Sequence, residues 1–236
     1  MENYLDYLYI LGDNEISFLR KINYVKFNYS KYINKDNSNM SVLEIGPGTG
    51  SLLQYLNKNN ISNIDVIDND SSVLQFINKT FTINKVFRTN NLSTINKMLQ
   101  EYDLIFMLQV FEHFPKTAYV DIVQALFCKL KKGGSMIIMV PNGGNPLNIL
   151  ERYHDLQHEN AFTEDSLKEI PNYCELNNYS INIEAYKIPP YSIVNVLRII
   201  AQKILHIIVI GLTIINGGAY QRIMTPNITL VIRKIL

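Results

Sequence analysis

Between Met40 and Val140 the chain alternates short apolar runs with longer stretches in which apolar residues recur at helical spacing. The runs Ser41–Ile45, Ile64–Ile67, Lys85–Phe87, Leu104–Leu108 and Met136–Val140 predict strands, and their near-continuous apolar character predicts that helices cover both faces of the sheet. Helices are expected between them, among them Ser71–Lys79 and Ala118–Leu130. The second of these ends in Lys131-Lys132-Gly133-Gly134, where cations suit the C-terminal dipole and glycine accepts a left-handed cap. Strands and helices alternating in this way define an α/β domain on a mostly parallel sheet. The first forty residues carry Tyr and Leu at helical spacings and run into a polar stretch, Asn34–Asn39. They predict one or two helices and a linker, either packed on the sheet or closing over a site as a lid.

Composition narrows the picture. The chain has 236 residues, 47% of them hydrophobic and 18% charged, which is enough for one core in a single domain spanning residues 1–236. With 22 Lys plus Arg against 21 Asp plus Glu the net charge is +1, so there is no basic field for a nucleic-acid partner. Cys128 and Cys174 form no Cys-x-x-Cys pair, which argues against a disulfide framework or a structural zinc site. The start Met1-Glu2-Asn3-Tyr4-Leu5-Asp6 lacks the basic and apolar regions of a secretion signal, so a cytoplasmic protein is expected.

The chemistry is concentrated in Val42-Leu43-Glu44-Ile45-Gly46-Pro47-Gly48-Thr49-Gly50-Ser51-Leu52-Leu53, an apolar strand that turns through glycines into an apolar-faced helix. Glycines let backbone approach a ligand closely, and the helix N-terminus beyond them offers unpaired N–H groups. A dinucleotide fingerprint would need glycine where Ser51 stands, and a P-loop would need Gly-Lys-Ser or Gly-Lys-Thr.

Glu44 followed by Gly46, Gly48 and Gly50 resembles the first motif of the class I S-adenosylmethionine-dependent methyltransferases. The resemblance implies a second acidic residue at the end of the next strand, and Asp68 stands there beside Asn69, placed to accept both ribose hydroxyls of S-adenosyl-L-methionine. Asp70 suits an N-cap better. After the third strand the family often has an acidic residue for the adenine amino group. This chain has Asn90-Asn91, whose side-chain carbonyls can accept the same hydrogen bond or serve as turn and cap residues. Two later segments also fit: Tyr102–Phe114, with Gln109 against the methionine part of the cofactor and Glu112-His113 after it, and Leu130–Asn142. The similarity runs in order over residues 40–142.

It implies a doubly wound, mostly parallel seven-stranded sheet of the Rossmann-like methyltransferase fold, with the last strands at Ile181–Tyr186 and Ile228–Ile232. An N-terminal helical cap covers residues 1–39 and a hydrophobic helical insertion precedes the last strand. The activity implied is methyl transfer from S-adenosylmethionine. The stretch from His158 through Phe162-Thr163 to Ser166-Leu167 resembles one in methyltransferases of surface-polysaccharide and quinone pathways. The acceptor expected is therefore a hydroxyl of a sugar or other small metabolite in a bacterial envelope glycan pathway. A quinone-like lipid, an amine or a carbon acceptor is the alternative, as is a non-catalytic binding protein that kept the fold.

His113, His154 and His158 fall in segments aimed at one cleft and are the candidate general bases, with Asp155 or Glu112 as orienters. Each has a structural alternative, such as His158 in a cap contact ahead of a helix starting at Thr163. His154, Asp155 and His158 have a spacing compatible with metal binding, but no further ligand stands out and no metal is assigned.

Ser192–Asn216 is the most apolar segment, and within it Ile204–Ile215 is interrupted only by His206, Gly211 and Thr213. That uncharged core falls short of the roughly 20 residues that span a bilayer. The readings left are a helix or helical hairpin packed on the domain or on a second subunit of a homodimer, or a peripheral surface resting on the inner face of a membrane.

Overall fold

A computed structural model describes residues 15–34, 36–89, 91, 100–153, 155–218 and 221–235. In chain order the elements are α1 (Glu15–Tyr29), β1 (Val42–Ile45), α2 (Ser51–Lys58), β2 (Ile64–Asp68), α3 (Ser71–Thr80), β3 (Lys85–Arg88), β4 (Tyr102–Leu108), α4 (Tyr119–Cys128), β5 (Leu130–Pro141), α5 (Ile149–Tyr153), α6 (Glu164–Tyr173), β6 (Tyr179–Ala185), α7 (Ile193–Ile215) and β7 (Asn227–Lys234). The strands form one sheet in the order β3-β2-β1-β4-β5-β7-β6. β1 lies in parallel register between β2 and β4, and β7 runs antiparallel between β5 and β6. The doubly wound, seven-stranded fold expected from the sequence is the one observed.

Alternation along each strand explains why the strands read as continuous apolar runs. Leu43, Ile45, Ile105, Met107 and Ile138 face one core with Ile122, Val123 and Leu126 of α4. Val42, Val66, Leu104, Phe106 and Ile137 face the other with Ile22, Val25 and Tyr29 of α1 and Leu52, Leu53 and Leu56 of α2. The N-terminal helix is thus a cover on the sheet. Tyr29 is buried with its hydroxyl 3.3 Å from Thr229 Oγ1. Residues 1–14, on which part of the lid reading falls, lie outside the described residues.

Three expectations are corrected. Helix α4 stops at Cys128 and is not ended by Lys131-Lys132-Gly133-Gly134, because its cap, Lys129, has ordinary right-handed backbone. Those four residues open β5 instead, where the register slips between the Tyr102–Leu130 and Leu104–Ser135 pairs. Gly133 there takes φ +80°, and Lys131 Nζ lies 2.8 Å from Asp103 Oδ2. The apolar insertion is one continuous 23-residue helix and not a hairpin, so as a whole it is long and apolar enough to cross a membrane, and Arg198 and Lys203 do not break it. Nor is it packed into the domain, since Val209 is its one buried residue.

Candidate active site

β1 delivers the chain to the glycine turn, whose shape follows from its backbone angles. Gly46 and Gly50 hold φ of +66° and +80°, where an L side chain is strained. A Cβ at Gly46 would stand 2.5 Å from Val110 Cγ2, and one at Gly50 would stand 2.3 Å from the Phe81 ring. Gly50 is the N-cap of α2. Beyond the carboxyl ends of β1, β2 and β4 lies a cavity of about 590 Å³. This is where open α/β sheets bind ligands.

Gly46, Gly48, Asp68, Asn69 and Gln109, five of the residues singled out in the sequence, line it. Asp68 accepts the Asp70 N–H at 2.8 Å, so the turn role and the cavity position coexist in one side chain. Burial raises its pKa, while the N–H groups of Asp70 and Asn69 oppose the shift. Asp70 caps α3 by accepting from the Ser72 and Val73 N–H groups, as expected. Gln109 has φ +58°, donates its backbone N–H to Met139 at 2.8 Å and points its amide at Met139 Sδ, 3.1 Å away. That left-handed backbone turns Val110 into the cavity wall.

The other cofactor candidates are placed differently. Glu44 is buried under the glycine turn and is not on the cavity wall. Its Oε2 has no hydrogen-bond partner among the described residues, and burial, with the charge of Asp68 second, pushes its carboxyl up to about 8. Gly50 shapes α2 without lining the cavity. Asn91 is exposed and off the wall, Asn90 lies outside the described residues, and Thr89 at the end of β3 lines the cavity instead.

After β4 a 3₁₀ turn, Phe111–His113, meets the loop that follows β5. The Glu112 carbonyl accepts the N–H groups of Glu159 and Asn160 at 3.0 and 3.2 Å, and the Asn160 amide donates to the Phe114 carbonyl at 2.7 Å. Stacked rings of Phe111, Tyr119 and Phe162 lie behind. These contacts bring the His113 and His158 rings to 4.8 Å and place His158 Nε2 3.9 Å from Glu112 Oε1. Glu112 is fully buried, and burial, with the charge of Asp155 adding to it, raises its carboxyl to about 8. His113 lines the cavity and His158 sits behind it, buried, while His154 lies outside the described residues. Buried asparagines clamp the start of the loop to the segment before β7: Asn142 donates to the Ile223 and Thr225 carbonyls, Asn145 to Met224 and Asn148 to Pro226.

Phe114, Gln157 and Glu159 complete the wall and were not singled out in the sequence, as Thr89 and Val110 were not. All five directly adjoin residues picked out from the sequence, the one signal that could have found them. The group Glu112, His113 and His158 was not assembled from the sequence either, because 45 residues separate the two histidines.

A glycine turn at the first strand, a carboxylate at the end of the second and a cleft over a 3-2-1-4-5-7-6 sheet define a Rossmann-like methyltransferase fold. The family described as a methyltransferase domain matches residues 19–180, and the chain belongs to it. No curated protein matches the chain. Among solved structures it is similar to a SAM-dependent methyltransferase from Archaeoglobus fulgidus, with TM-score 0.62, 18% identity and coverage of 89% of this chain and 93% of that one. It is also similar to the plantazolicin methyltransferase BamL in complex with a triazolic desmethylPZN analog and SAH, with TM-score 0.60, 19% identity and coverage of 98% and 90%. A third is the plantazolicin methyltransferase BpumL in complex with SAH, with TM-score 0.59, 17% identity and coverage of 94% and 86%. At these identities the likeness shows the fold.

The chain is an S-adenosylmethionine-dependent methyltransferase. Its cleft fits that cofactor: the volume is that of a small-molecule site, the glycine backbone forms one wall where a Cβ at Gly46 would collide with Val110, and the Asp68 carboxylate stands ready for a diol.

Proposed function

We propose that the protein methylates a hydroxyl group on a sugar or other small polar acceptor, and that it does so at a lipid surface. The observation that carries the reading is His113 on the wall of the same cavity as the glycine turn, backed by His158 and buried Glu112. When bound, the cofactor supplies a methyl group on a sulfonium that keeps the bonding electron pair as the methyl leaves. Gly46 and Gly48 bring backbone close to it, Asp68 orients the ribose, and the backbone at Gln109 and Val110 holds the methionine end. The Glu112–His113–His158 cluster draws the proton from the acceptor oxygen as the new carbon–oxygen bond forms. Gln157 and Glu159 add hydrogen-bonding side chains on the same wall, which suits a polyhydroxylated acceptor.

Helix α7 supports the lipid surface. At 100° per residue Asn195, Gln202, His206, Val209 and Thr213 fall on one stripe, and these are half-buried or buried. The opposite arc, about half the circumference, carries exposed Leu197, Ile200, Ile204, Ile207, Ile208 and Leu212. Arg198 and Lys203 stand at its two edges, exposed, where cations flank the apolar face of a helix lying in a headgroup layer.

Two experiments test the reading. With methyl-labelled cofactor and lipid-linked oligosaccharide as acceptor, a base-stable methyl ether is expected. Label confined to amine or base-labile ester products would overturn the hydroxyl assignment. Cosedimentation with anionic phospholipid vesicles should be lost in Leu197→Ser/Ile204→Ser/Ile208→Ser. Reversible dimerisation without vesicle binding would show that a second copy covers the helix and would refute the lipid surface.

A further inference from the structure

We propose that Glu112, His113 and His158 are the ligands of a divalent cation at the acceptor end of the cleft. One ligand atom from each residue lies within 4.8 Å of those of the other two. Glu112 is fully buried, and among the described residues neither of its carboxylate oxygens has a hydrogen-bond partner. The His158 nitrogen at 3.9 Å is outside hydrogen-bonding range. Buried carboxylates are normally hydrogen-bonded, paired or bound to metal, so this one is a candidate metal ligand. Nδ1 of His113 is likewise buried without a hydrogen-bond partner among the described residues.

The surroundings are those of a built site. Glu112 and His113 share one short turn, and the loop carrying His158 is tied to that turn by the two N–H groups that Glu112 accepts at its carbonyl. The ligands therefore come from two segments already locked together. The histidine rings are inclined at 57° with centroids 4.8 Å apart, so they do not stack in parallel. Two imidazoles and a carboxylate form a three-ligand set of the catalytic type, which leaves coordination positions open, and this set suits zinc, manganese or iron better than calcium. Ligand atoms about 2.0–2.2 Å from such a metal sit roughly 3.0–3.6 Å apart, so the side chains close by about 1 Å on binding. His113 also lines the cavity, so a cation held by it would stand beside that space.

The existence of the site is independent of the proposed reaction, whereas its role rests on that reading. A cation here would make the acceptor hydroxyl more acidic, so that its proton leaves to solvent as the methyl arrives. The cation is then the means by which the Glu112–His113–His158 cluster draws that proton from the acceptor oxygen, with His113 acting as a ligand.

The test is titration of the chelator-treated protein with Mn²⁺, Zn²⁺ and Mg²⁺ by calorimetry, with Co²⁺ absorption reporting ligand geometry. Stoichiometric binding of a transition metal is expected, weakened about tenfold or more by Glu112→Gln, by His158→Ala and by the milder His113→Gln. Melting curves and S-adenosylmethionine binding serve as folding controls. Absence of stoichiometric binding, or variants that bind metal as the unaltered protein does, would overturn the site. If the cofactor binds and metal does not, the cation site fails while the methyltransferase reading stands. Metal binding without transfer to any hydroxyl acceptor sinks the acceptor assignment and leaves the cation site intact.

Discussion

Glu44 offers a measurement in which one buried carboxyl can be isolated from all the others. It is 3% exposed, one of its oxygens has no hydrogen-bond partner among the described residues, and burial together with Asp68 holds its carboxyl at about 8 instead of 4.5. Below pH 4.5 the group is protonated in both the folded and the unfolded chain, and the stability it contributes is fully present. As pH rises from 4.5 to 8 the unfolded chain releases this proton while the folded chain retains it. Each pH unit in that window therefore removes about 1.4 kcal/mol of unfolding free energy, and by pH 7 the loss is about 3 kcal/mol. Glu44→Gln keeps the shape and cannot titrate. Urea unfolding of both proteins between pH 4.5 and 8.5 should give curves that diverge with rising pH, with the variant gaining about 3 kcal/mol on the original by pH 7. The original also carries raised carboxyls at Glu112 and Asp68, but they are common to both proteins and cancel in the difference. Parallel curves would refute the reasoning and mean that Glu44 is ionised in the fold.

Asp68→Ala should weaken S-adenosylmethionine binding by about 1–3 kcal/mol, and calorimetry showing unchanged affinity would remove its ribose role. Gly50→Ala places a side chain at φ +80° and against the Phe81 ring, so a loss of about 2–4 kcal/mol is expected in denaturant titration. Thr163 caps α6 by accepting the Ser166 N–H at 3.2 Å in a reciprocal capping box, and Thr163→Ala should cost about 0.5–2 kcal/mol in the same assay.

The elements that positioned the cofactor end of the site were legible because each depends on a few adjacent residues. The turn at Gly46, Gly48 and Gly50 needs left-handed backbone that glycine adopts without strain, and Asp70 needs only the next three residues to cap α3. The strands of the core declared themselves because both faces are covered. Misreadings arose where a local rule competed with a distant partner. Gly133 looked like a helix cap, but Asp103 and the edge of β4 draw that stretch into β5. Thr89 went unremarked beside Asn91 because nothing local says which of them faces the cleft.

By itself the sequence determined the strand and helix alternation, the glycine turn and the acidic residue at the end of β2, since hydrophobic period and backbone preference act within a few residues. Only the tertiary structure decided that Glu112, His113 and His158 meet, because the loop carrying His158 is fixed by backbone hydrogen bonds to residues more than forty positions away. The tertiary structure likewise decided that the most apolar helix lies outside the core, with one buried residue in its 23. Hydrophobicity states that such a segment must leave water, whereas what it leaves water for depends on how much of the sheet the other helices have already covered.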